Sequence, residues 1–128
     1  MSEEAFLSRC ASDFEFFCLH CLKIRTLTRD KKYTVQTLML TDEQRAVANY
    51  VTFCLQGGHD VRIIIDKCRK LGMSTVVEAL GYWLCYFRSN FRALVIAHTS
   101  KATQKIALIN KGFNRMLPDP MREGGAKE

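Results

Sequence analysis

The chain lacks the features that would carry it into or across a membrane. Met1-Ser2-Glu3-Glu4 has neither the basic start nor the apolar segment of a secretion signal. The most apolar run, Val76 to Phe87, is too short to span a bilayer and carries Glu78. The expectation is therefore a reduced, cytosolic setting, in which Cys10, Cys18, Cys21, Cys54, Cys68 and Cys85 stay thiols. Cys18-Leu19-His20-Cys21 has C-x-x-C spacing, but no second pair of ligands follows at zinc-finger distance, which argues against a metal there. No internal repeat is visible, and nothing in the composition suggests disorder or fibre.

What is present fits one domain: 128 residues, 48% hydrophobic and 25% charged, enough for a core of its own. A net charge of +6 and a pI near 9.1 favour anionic partners, whether nucleotide, nucleic acid or an acidic protein surface. The excess gathers at Lys23 to Lys32 and around Arg62, Lys67, Arg69 and Lys70. For the first cluster a solvated basic face is an equal alternative.

Apolar spacing over Glu3 to Leu22 predicts a helix with one greasy face, its Phe14, Phe16 and Phe17 in the core. The β-branched segments Ile24–Thr28 and Tyr33–Leu38 flank the polar turn Arg29-Asp30-Lys31-Lys32 and predict a hairpin. Thr41 is a good N-cap, with Gln44 at the capping-box position, for a helix that Gly57-Gly58 ends. Val61–Ile65 and Phe91–Ala97 read as buried strands around a buried helix, Thr75–Phe87. Thr99 or Ser100 opens an amphipathic helix to about Leu117, and a frayed tail follows from Pro118. The expected organisation is a helix and hairpin lead-in over 1–41, a β-α-β unit over 42–117 and a tail over 118–128. The expected fold class is α/β with parallel strands.

Between the first strand and its helix lies Lys67-Cys68-Arg69-Lys70-Leu71-Gly72-Met73-Ser74-Thr75. A basic loop, one glycine and two hydroxyls at a helix start is the order of a phosphate-binding loop, where the first amides face an anion. Gly72 permits close backbone approach, and Ser74 stands where a magnesium-binding hydroxyl belongs. The standard G-x-x-x-x-G-K-[ST] wants glycine at Lys67 and lysine at Met73. The cation must therefore come from Lys67, Arg69 or Lys70. An ordinary strand–helix turn with incidental lysines is the rival reading.

The loop resembles the variant Walker A of the large terminase subunits of tailed phages, the ATPases that pump DNA into capsids. In that family a K-x-R-x-x-G-x-S-T pattern moves the lysine forward. The resemblance extends to Asp13-Phe14-Glu15-Phe16-Phe17-Cys18, to Leu40-Thr41-Asp42-Glu43-Gln44 and to Ala93-Leu94-Val95-Ile96-Ala97-His98-Thr99, so it covers most of residues 13 to 106 in the family's order. It implies a partial P-loop NTPase (RecA-like) core that uses ATP and Mg²⁺. Lys67 and Lys70 would lie on the phosphates, and Arg69 would help stabilise the γ-phosphate as the catalytic group. Ser74 would hold magnesium, Gly72 and Thr75 would shape the loop, and Gln44 would contact adenine. Double-stranded DNA, a portal and a small terminase subunit are the implied partners, and the host cytoplasm the implied place.

Each role keeps a rival: Gln44 as helix cap, His98 as a packing residue, Asp66 as a partner of Arg62 or Lys67. No Walker B strand follows residue 98, and the family's nuclease carboxylates are absent from the sequence. Leu38–Glu43 and Ile63–Asp66 only imitate a Walker B. The expectation is an N-terminal piece of such an ATPase that binds nucleotide and does not hydrolyse it alone. The alternative is a non-catalytic basic module, from a truncated or split gene, that binds DNA or an assembly partner. A helicase-type fragment shares the glutamine and loop order but not the early lysine.

Overall fold

The computed structural model describes residues 2–27, 29–66, 72–88, 90–94, 96 and 99–118, with the side chains of 26 and 27 left aside. Helix α1, Glu3–Ser12, starts at Ser2, whose side chain accepts from the Ala5 amide, and carries Glu3 and Glu4 where the helix dipole favours anions. Asp13 ends it and begins the next. Its N–H donates to the Arg9 carbonyl at 2.9 Å, while its carboxylate accepts from the Phe16 amide at 3.1 Å. The single helix expected over Glu3 to Leu22 is thus two, with α2 spanning Phe14–Cys21.

Strands β1, Lys23–Leu27, and β2, Tyr33–Thr37, pair antiparallel with Lys23 opposite Thr37 and Leu27 opposite Tyr33. Then come α3, Asp42–Gln56, α4, Met73–Phe87, and α5, Ser100–Arg115. Thr41 and Gln44 close a reciprocal capping box at the head of α3, and Thr99 caps α5.

The core lies where α2 and α5 meet α4. Phe17, Phe113, Leu22 and Val76 are fully buried. Phe17 meets the Phe87 ring edge-on at 5.4 Å, Phe14 the Trp83 ring at 5.3 Å, and Tyr82 the Phe113 ring at 5.9 Å. Each such buried side chain is worth about 1.5–3 kcal/mol, and aromatic pairs add about 0.5–1.5 kcal/mol. Trp83 also donates its indole N–H to the Cys10 carbonyl at 2.8 Å. That carbonyl is in the last turn of α1, where carbonyls have no partner within the helix.

The parallel sheet is a wrong expectation. Among the described residues the fold is mostly helical, its one sheet is the two-stranded hairpin, and no parallel sheet is seen. Residues 61–66, and the described part of 91–97, carry neither strand nor helix. A β-branched run becomes a strand only when neighbouring strands take its backbone groups, and among the described residues no third strand is alongside. Only part of these stretches finds cover: Val61 and Ile65 pack partly against the core, but Ile64 is 98% exposed, Leu94 85% and Ile96 83%. The tail beyond Pro118 lies outside the described residues. No described helix is long and apolar enough to cross a membrane.

Candidate functional site

Gly72 is the hinge of the candidate site. It is the N-cap of α4 with φ 71° and ψ 21°, a left-handed conformation that glycine adopts without strain. Helices α1, α2, α3 and α5 are each capped by a side chain, from Ser2, Asp13, Thr41 and Thr99. At α4 the N-cap is this glycine, which makes no side-chain cap bond of its own. Met73 is buried against the core, Ser74 is exposed and Thr75 is half-buried, so the two hydroxyl residues sit in the first turn of a firmly anchored helix.

Gln44, 28 residues earlier, holds this hinge. Its side-chain N–H donates to the Gly72 carbonyl at 2.8 Å, and its Oε1 accepts from the Thr41 amide at 2.9 Å. The Gly72 carbonyl also accepts the Val76 amide at 3.1 Å. Gln44 is only 5% exposed, and a Cβ built on Gly72 would stand 2.5 Å from its Nε2. Of the predicted site residues, the structure therefore brings Gln44 and Gly72 together, with Ser74 and Thr75 on the helix that follows. Lys67, Arg69 and Lys70 lie outside the described residues, as does His98.

The frame around Gln44 includes ion pairs. Arg45 reaches Glu15 on α2 at 3.0 Å and Asp42 at 2.9 Å. Both are solvent-accessible and orient more than they stabilise. The acids beside Arg45 raise its guanidinium pKa further, the hydrogen bond to Glu15 contributing most. Asp66 is exposed, and the described ion pair of Arg62 is a 4.0 Å contact with Asp60 instead.

Cys18 and Cys21 are buried. Cys21 Sγ lies 3.7 Å from Cys10 Sγ, and burial pushes all three thiols up from their ordinary pKa. Among the described residues no group of three or more His, Cys, Asp or Glu could hold a metal ion.

One group that sequence reasoning missed is Glu78, a carboxyl 4% exposed on α4, with its pKa raised by desolvation. Its only sequence signal is an acid inside an apolar run. Another is Asn110 on α5, whose side-chain oxygen is buried without a hydrogen-bond partner among the described residues.

Comparison with family models, with curated proteins and with solved structures returns no match.

Proposed function

We propose that the chain is the nucleotide-holding N-terminal part of a terminase-like DNA-packaging ATPase. The observation that carries the reading is the start of α4: a left-handed glycine at the N-cap with its carbonyl fixed by Gln44, followed by Ser74 and Thr75 in the first turn. A helix start headed by a glycine suits a phosphate, because the first amides of a helix can face an anion and glycine allows an unusual backbone conformation there. The described residues therefore fit the glycine and hydroxyl half of an ATP–Mg²⁺ site.

In this reading Ser74 holds magnesium, Thr75 supports the helix start, and Lys67, Arg69 and Lys70 supply the cations. Bound ATP–Mg²⁺ supplies the phosphoryl group. This chain's part is to bind and orient it, because the acids that hold metal and activate water are not in its sequence. A host-cytoplasmic setting, and DNA, portal and small-subunit partners for the complete machine, belong to the same proposal.

Calorimetric titration of the 128-residue chain with ATP–Mg²⁺ tests it. The expected result is measurable binding that Lys67→Ala weakens about tenfold or more, as loss of a charge-assisted phosphate contact does, with no turnover. Absence of binding, or equal affinity in Lys67→Ala, would refute the nucleotide role. Salt-sensitive DNA binding indifferent to ATP and to Lys67→Ala would point instead to a basic module.

A further inference from the structure

Charge is spread unevenly over the elements. The hairpin, residues 23–37, and α5 together carry nine lysines and arginines, and the only acid in either is Asp30. The other acids of the first half stand on different elements: Glu3 and Glu4 on α1, Asp13 and Glu15 at the start of α2, Asp42 and Glu43 at the start of α3. The hairpin and α5 are also neighbours in the fold. Lys23, Arg25 and Val35 line a cavity of about 480 Å³ together with Leu108 and Lys111 of α5. Two basic segments distant in the chain thus form one basic surface, a footprint that fits a polyanion.

The strand register decides what shares a side of the ribbon. Lys23 is opposite Thr37, Arg25 opposite Val35, and Tyr33 two residues from Val35, so Lys23, Arg25, Tyr33 and Val35 lie on one face. All four are exposed, Tyr33 at 71% and Val35 at 51%, and Leu108 on α5 is 64% exposed. The turn adds exposed Arg29 and Lys31. Among the described residues Lys23, Arg25, Arg29 and Lys31 make no ion pair. A basic track with an exposed aromatic ring on it suits a single strand, whose unstacked bases cover flat apolar surface while its phosphates meet the cations. In a duplex the bases stack on one another, and Tyr33, Val35 and Leu108 would meet only sugar and phosphate. The ribbon also does not stand clear of the body, as entry into a major groove requires: Ile24 packs against the core, and at its base the Leu38 N–H donates to the Leu22 carbonyl at 3.0 Å.

We propose that the hairpin and the adjoining face of α5 form an interface for single-stranded nucleic acid. The phosphates follow the cations of β1 and the turn, and a base stacks on Tyr33. None of the candidate nucleotide residues belongs to the hairpin or to α5, so this surface goes beyond the ATP proposal and does not rest on it.

The test is fluorescence anisotropy of the intact chain with labelled oligouridylate and oligothymidylate of about 12 nucleotides, a length within the range of single-strand sites. Both should bind, and the tighter one identifies the source as RNA or DNA. The logarithm of the affinity should fall by about 0.7 per phosphate contact for each tenfold rise in salt. Arg25→Gln/Arg29→Gln should flatten that slope by about 1.4. Tyr33→Thr, which keeps the strand preference, should weaken binding about tenfold and leave the slope alone, while Tyr33→Phe binds as the parent does. Arg62→Gln, an exposed cation outside both elements, should change neither quantity. This titration contains no ATP and the calorimetric one no nucleic acid, so the two proposals fail separately. Absence of binding, or a Tyr33→Thr variant that binds as the parent does, would overturn the interface. A duplex of the same length binding as tightly means recognition of phosphate alone, and polyglutamate displacing the strand equally well, or Arg62→Gln flattening the slope like the double variant, means diffuse charge. Displacement by ATP means that the strand occupies the nucleotide site, and each of these results also overturns the proposal.

Discussion

The joint between Gln44 and Gly72 makes a quantitative prediction for Gly72→Ala. A side chain at φ 71° occupies the left-handed region, which costs an L-residue about 1–2 kcal/mol. The new methyl would also stand 2.5 Å from Gln44 Nε2, a separation that real Cβ atoms do not show, so the amide must leave. Its departure forfeits the hydrogen bond to the Gly72 carbonyl, worth about 1 kcal/mol net. It also loosens the capping box of α3, where a cap is worth about 0.5–2 kcal/mol. The sum is about 2.5–5 kcal/mol.

With a urea slope of about 1–3 kcal/mol per molar for a chain of this size, the unfolding midpoint should fall by about 1 M or more, read by far-ultraviolet circular dichroism. The decisive measurement is the double-mutant cycle. In a Gln44→Ala background the clash has no atom to strike, so Gly72→Ala should cost only the left-handed strain of about 1–2 kcal/mol. The two substitutions should then be less than additive by about 1 kcal/mol or more. Strict additivity, or a midpoint that Gly72→Ala leaves in place, would refute the reasoning.

Three further outcomes are expected. Trp83→Phe keeps the ring packing against Phe14 but strands the buried Cys10 carbonyl, and should cost about 1–3 kcal/mol in urea unfolding. Burial holds the Glu78 pKa above its ordinary 4.5, so from about that pH up to the raised value the native protein keeps a proton that the unfolded chain has lost. Stability should fall as pH rises through that window, with a slope of at most about 1.4 kcal/mol per pH unit for one proton, and Glu78→Gln should remove the slope in melting curves taken across pH. Among the described cysteines, exposed Cys85 should be alkylated by N-ethylmaleimide well before the buried Cys10, Cys18 and Cys21; all four thiols have raised pKa values, so access sets the order, as peptide mass mapping would show.

Local chemistry was readable from the residues. The Thr41–Gln44 box needs only two side chains three apart, and the hairpin needs two β-branched segments around a polar turn, so both stand where the sequence puts them. The break at Asp13 was local too, with an Asx cap on the Phe16 amide as its signal. It was missed because the apolar spacing runs across it without changing period. The strands failed for a different reason. Val61–Ile65 has the composition of a buried strand, but burial is a property of its neighbours, and no run of residues states whether a neighbour exists. The Trp83 bond to Cys10, 73 residues away, is illegible in the same sense.

At the candidate site this division runs through a single side chain. Gln44 has two rival sequence readings, helix cap and adenine contact; the structure forms the cap, and the adenine contact belongs to the proposed function. An amide offers two N–H donors and two acceptor lone pairs. Thr41 and Gly72 use one acceptor and one donor, and the amide is 5% exposed, so an adenine contact would require the side chain to open toward the base. That amide is fixed to the head of α3 and to the N-cap of α4, and a base that reached it would have to displace or share those bonds. Under the proposed function, reading the base and holding the phosphate helix in place are then tasks of one group. That is why a substitution at Gln44 cannot be interpreted from nucleotide affinity alone, and why the stability cycle with Gly72 has to accompany it.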